Sequence, residues 1–155
     1  MIKEDVMNLA IDKARNNMNN NCGGPFGAAI VKDGEVITVT SNTVLESHDP
    51  TCHAEVNAIR EAGKLLGTHD LSGCTLYATG YPCPMCMGAI VWANIKEVYY
   101  GSNLDDANKI GFRDKEFYEL IKNDELSKIV DLKELNHDKC FELLDEYKNN
   151  NKEMY

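Results

Sequence analysis

Residues 27–40 read GAAIVKDGEVITVT, with two strand-like runs, Gly27 to Lys32 and Val36 to Thr40, on either side of Asp33-Gly34. Asp-Gly suits the two positive-φ positions of a tight hairpin turn, so the runs are expected to pair antiparallel. Upstream, residues 2–20 place Val6, Leu9, Ala10 and Ala14 at helical spacing, and Gly23-Gly24 lies beyond as a stop. Downstream, Asp49-Pro50 marks a turn or helix entry, and a helical pattern runs through Val56, Ile59, Ala62 and Leu66. Thr75 to Thr79 and Glu97 to Gly101 read as strands around a buried helix from Pro82 to Asn94. Residues 105–123 read as mixed loop and helix, Ser127 to Leu132 as a last strand, and 135–150 as a charged helix carrying Leu135, Phe141, Leu144 and Tyr147. A hairpin followed by strand–helix alternation predicts an α/β protein with a mixed sheet covered by helices on both faces.

The chain has 155 residues with no repeat or long linker, so it reads as one domain, 1–155. Its 25 acidic and 16 basic residues give a net charge of −9, which disfavours a protein whose affinity comes from neutralising phosphates. No run approaches the ~18 apolar residues of a membrane helix. The N-terminal MIKEDVMNLAIDKARNN has acids where an export signal needs an apolar core, so the cytoplasm is the expected compartment. Six unevenly spaced cysteines do not suggest a disulfide framework there. Only Cys83 and Cys86 form a close pair, a spacing that fits metal or redox chemistry.

Pro84 tolerates the first helical position, where its missing N–H has no partner, so a helix start at Cys83 is expected. Cys83 and Cys86 then face one side of the first turn, where the positive helix end lowers thiol pKa. Two thiolates there make half a site for a borderline cation such as zinc. His53 is the candidate third ligand, and three protein ligands leave a fourth position for water, as in a catalytic site. Glu55 is the candidate proton carrier. Positions i and i+2 of a regular helix do not share a face, so His53 and Glu55 converge only if His53 sits at the helix start.

His53-Ala54-Glu55 with Pro82-Cys83-Pro84-Met85-Cys86 matches the zinc-deaminase signature H-x-E…P-C-x-x-C. The chain resembles the cytidine deaminase superfamily, and within it the small bacterial guanine deaminases. The resemblance runs through residues 24–34, 49–56 and 82–90, Trp92-Ala93, Gly111-Phe112 with Asp114, and the terminal Tyr155. It implies a three-layer α/β/α sandwich around a five-stranded mixed sheet. It further implies one zinc per chain on His53, Cys83 and Cys86, with Glu55 shuttling protons as guanine becomes xanthine and ammonia in purine metabolism. Asn42 would read the purine edge, Phe26 would pack near the base, and the Ala54 N–H would meet the ring carbonyl region. Asp114 would contact the 2-amino group and assist its departure. Family members of this kind form homodimers with a swapped C-terminal segment, which would make Tyr155 a lid over the partner's site. One departure stands out: Glu commonly precedes the Pro-Cys pair in the family, whereas this chain has Tyr81, able to stack on a base or simply to pack. A second is Arg113, placed to pair with Asp114 and lower its pKa.

Plainer readings stand beside these. Phe26 fits an ordinary core, Asn42 a turn, Asp114 a helix cap and Tyr155 a loose end. Cys22, Cys52, Cys74 and Cys140 read as buried thiols, and His48, His69 and His137 as surface residues. Rival functions are deamination of another small ring or nucleoside (cytosine, guanosine, an aminotriazine), a tRNA adenosine deaminase, and a non-enzymatic zinc-stabilised interaction module. The expected partner is a small nucleobase, with no membrane and no nucleic acid.

Overall fold

The computed structural model describes residues Met1–Tyr155, which divide into two units, Met1–Glu119 and Leu120–Tyr155. In the first unit the order is α1 (Lys3–Asn19), β1 (Gly27–Lys32), β2 (Glu35–Ser41), α2 (Val44–Ser47), α3 (Ala54–Leu66), β3 (Cys74–Gly80), α4 (Pro84–Trp92), β4 (Glu97–Ser102) and α5 (Leu104–Lys109), followed by the start of α6 (Asp114–Lys122). The strands lie in the order β2-β1-β3-β4. β1 is antiparallel to both β2 and β3, and β3 is parallel to β4. This is a mixed sheet with four strands rather than the expected five.

The β1–β2 hairpin turns at Asp33 (φ 50°) and Gly34 (φ 78°), the paired positive φ values that the Asp-Gly signal predicts. Side chains of β1 alternate between two cores. Ala28 and Ile30 pack with Ala54, Ala58, Ala62, Leu76 and Ile90, whereas Ala29 packs with Val6 and Tyr77 on the opposite face. The stripe Ala54, Ala58, Ala62 recurs every four residues and is fully buried, so α3 seats a face of small side chains in the core. Gly67, in the left-handed region at φ 68°, ends α3. A parallel β3–α4–β4 crossover follows, and the carboxyl end of such a strand is where α/β sheets place their sites.

The second unit holds a 3₁₀ turn (Leu126–Lys128) and α7 (His137–Asn149). The strand expected over Ser127 to Leu132 does not form. Backbone N–H groups of Lys128, Ile129 and Val130 donate to Glu125 and Leu126 carbonyls, so the donors that a ladder would need are used in a local turn. Leu135 lies before α7 rather than on it, and Phe141, Leu143 and Leu144 of α7 are 51%, 67% and 66% exposed. No helix is long and apolar enough to cross a membrane.

Candidate metal centre and its cavity

His53 and Cys83 occupy equivalent places. Each is the extended residue just before a helix, His53 (ψ 155°) before α3 and Cys83 (ψ 169°) before α4. Pro84 takes the first helical position, and the first carbonyl bonded within α4 is that of Cys83, which accepts from the Met87 N–H at 2.8 Å. Cys86 follows in the first turn, so two helix N-termini converge on one point. The Sγ atoms of Cys83 and Cys86 both lie 3.5 Å from His53 Nδ1. A tetrahedral zinc with Zn–S about 2.3 Å and Zn–N about 2.0–2.1 Å sets the S···N separation at about 3.6 Å. The three donors therefore fit that ion, and no other group of His, Cys, Asp or Glu side chains gathers three metal-ligand donors this closely.

The electrostatics agree with a cation site. Hydrogen bonding from the Cys86 thiol, with His53 and the helix end adding to it, brings the Cys83 thiol down to about 4 against its burial. Cys86 is pushed strongly upward by that neighbouring thiolate and by burial. Its contact with Cys83 raises His53. Two adjacent buried thiols resist ionising together until a cation neutralises them.

Glu55 is only 7% exposed and shares this cavity with His53. The convergence required of the His53/Glu55 pair is met because His53 precedes the helix and Glu55 lies in its first turn. Burial, reinforced by the Cys83 thiolate, raises the Glu55 carboxyl to about 7. A carboxyl near neutrality can both take and return a proton.

The cavity, about 380 Å³ with its open mouth, is lined by Phe26, Asn42, Tyr81, Phe112 and Asp114 together with Glu55 and the metal-ligand side. Asn42 is 5% exposed, and its Oδ1 accepts from the N–H of Gly24 (3.2 Å) and of Val44 (3.1 Å). Those donors fix the amide so that its NH₂ remains for a ligand's acceptor. A Cβ on Gly23 would run into Asn42, so glycine is needed there for the loop to approach. The Phe26 ring meets Phe112 edge-on at 5.0 Å. Asp114 opens α6 as its first helical residue, and burial followed by the Cys83 thiolate pushes its carboxyl upward. This overturns the lowering expected from Arg113, which is exposed. Tyr81 packs edge-on against Tyr100 (4.9 Å) and Tyr118 (5.9 Å) while lining the cavity. Ala54 is fully buried, and its N–H lies in the first turn, where α-helices have no internal acceptor. Tyr155 belongs to the second unit and is 78% exposed.

Cys52 points its thiol toward Arg60 (3.7 Å) and Cys74 is buried, whereas Cys22 is half-buried and Cys140 exposed, the last against expectation because α7 buries nothing. Phe112 and Gly80 also line the cavity, and no spacing in the sequence singles out either. The Gly-Phe context of Phe112 marks a turn, and only the fold brings Phe112 to Phe26.

The cytidine and deoxycytidylate deaminase zinc-binding region matches residues 1–102. The chain belongs to this deaminase family. It is 48% identical over 121 residues to guanine deaminase of Bacillus subtilis, covering 78% of each chain. The crystal structure of guanine deaminase from Bacillus subtilis superposes with a TM-score of 0.93 at 40% identity, covering 100% of this chain and 99% of the other. The chain is also 36% identical over 123 residues to the tRNA-specific adenosine deaminase of Buchnera aphidicola, covering 79% of each.

Proposed function

We propose that this chain hydrolyses guanine to xanthine and ammonia, with one zinc held by His53, Cys83 and Cys86. The observation that carries the reading is a buried Glu55 with its carboxyl near 7, in one cavity with a close-set His–Cys–Cys donor group and the fixed Asn42 amide. Bound zinc supplies Lewis acidity, which makes water nucleophilic near neutral pH. In the reaction a C–O bond forms at purine C2 and the bond to the exocyclic nitrogen breaks, so water and guanine yield xanthine and ammonia. The Glu55 carboxylate takes the proton from the attacking water and delivers it to ring N3, then carries the second to the departing nitrogen. Asp114 contacts the 2-amino group and assists its departure. The Asn42 NH₂ donates to an acceptor on the purine edge, the Ala54 N–H faces the ring carbonyl region, and Phe26 with Phe112 packs on the base. Tyr81 borders the ring from the loop before Cys83.

The working form is a homodimer of single-domain chains with the C-terminal segments exchanged, Tyr155 serving as a lid on the partner's site. The exposed apolar side chains Phe141, Leu143 and Leu144 on α7 support an intermolecular partner. Six free thiols fit a reducing compartment such as the cytoplasm. The test is ammonia release with xanthine identified, comparing guanine with an adenosine-bearing tRNA anticodon stem-loop. Turnover of guanine alone is expected, and turnover of the RNA alone would replace this reading with tRNA adenosine deamination.

A further inference from the structure

Tyr118 does not line the cavity, yet it connects two parts of it. It lies one helical turn after Asp114 on α6, so the two share a face. Its hydroxyl donates to the Pro82 carbonyl at 2.5 Å. Pro82 is fully buried and immediately precedes Cys83. Its carbonyl stands outside the α4 ladder, which begins at the Cys83 carbonyl. A buried carbonyl without a partner costs the full desolvation of that group, so the Tyr118 hydroxyl matters more than an exposed one would. Burial pushes the phenol upward, which keeps it a neutral donor at working pH.

The rest of α6 is lightly held. None of its residues is buried, and Lys115 reaches Asp105 in an exposed ion pair at 2.7 Å. Exposed pairs contribute little. The Tyr118 ring adds an edge contact to Tyr81, which in turn leans on Tyr100 of β4. The helix carrying Asp114 is thus fastened to the loop carrying Cys83 through the Tyr118 phenol.

We propose that Tyr118 is a positioning residue, its hydroxyl on the Pro82 carbonyl locking the Cys83 ligand loop and the Asp114 helix into one geometry. The kinetic part of this rests on the guanine deaminase reading; the metal part does not. Tyr118→Phe removes one oxygen and keeps the ring against Tyr81. In the zinc-loaded protein it is expected to bind one zinc per chain but to lose it to a chelator about tenfold faster than wild type. The cobalt-substituted variant is expected to show a shifted sulfur-to-metal absorption band. With guanine, kcat falls about tenfold with KM nearly unchanged. Adding Tyr118→Phe to Asp114→Asn produces little further loss of turnover, because the Tyr118 hydroxyl acts on turnover by placing Asp114. Wild-type zinc-release rate and cobalt spectrum in Tyr118→Phe would overturn the proposal, as would losses that simply multiply with Asp114→Asn. If wild-type protein makes no xanthine, the function reading fails alone, and zinc release with the cobalt spectrum still decides the role of Tyr118.

Discussion

The N-terminal strands and helices and the C-terminal α7 use apolar side chains in opposite ways. In β1, Ala28, Ala29 and Ile30 are completely buried, and every metal ligand rests on an element anchored in that core. In α7 a comparable set, Phe141, Leu143, Leu144 and Tyr147, stays exposed, although the helix is well formed. The difference teaches that the ligand set is built on the buried core of the first unit, whereas α7 keeps its apolar side chains exposed. Short isolated helices are marginal in water, so such a segment gains stability from packing against something else.

The largest effect that would sharpen this contrast is expected from Cys83→Ala. Zinc stoichiometry should fall from one per chain to near zero and deamination should disappear with it, as metal analysis beside an ammonia assay would reveal; retained zinc would mean that the site is not where the core places it. Next comes a paired truncation read by chemical denaturation. Ile30→Ala should cost about 2–5 kcal/mol, because a filled core site is emptied. Leu143→Ala should cost little in dilute monomer and weaken association in light scattering. Equal costs at both positions would erase the distinction between the two regions.

A third effect concerns pH. Burial raises the Glu55 carboxyl from its ordinary 4.5 to about 7. The native state therefore binds more proton than the unfolded chain between those values, and stability falls as pH rises through that window. In zinc-stripped protein this loss should amount to about 3 kcal/mol at most and be absent from Glu55→Gln. Parallel pH profiles for the two proteins would show that Glu55 is not strongly desolvated. The smallest effect is expected from deleting residues 151–155, which should lower kcat/KM for guanine about tenfold if Tyr155 covers a partner's site. Unchanged kinetics would leave that segment without a part in the reaction.

Much of the buried region was legible because its signals are local. Asp33-Gly34 names its own turn. Pro84 with Cys83 and Cys86 names a helix start. His53 and Glu55 converge through helix-end geometry that two residues of spacing suffice to pose. The misses are of another kind. Ser127 to Leu132 has strand composition, but a strand exists only through a partner's ladder, and the local turn claimed its N–H groups. Cys140 reads as a core thiol only if its helix is buried. Phe112 against Phe26 and Tyr118 on Pro82 join positions 86 and 36 residues apart, where no sequence period reaches. Arg113 adjoins Asp114 in sequence, but adjacency says nothing of how deeply Asp114 sits, and burial decides the direction of its shift.

The central claim is that Glu55 moves protons in a site the metal ligands build without it. Its most direct test is Glu55→Gln, assayed for bound zinc and for guanine turnover on the same sample. The account predicts one zinc per chain with kcat reduced about 10²–10⁴-fold. Full turnover in a zinc-replete variant would contradict it.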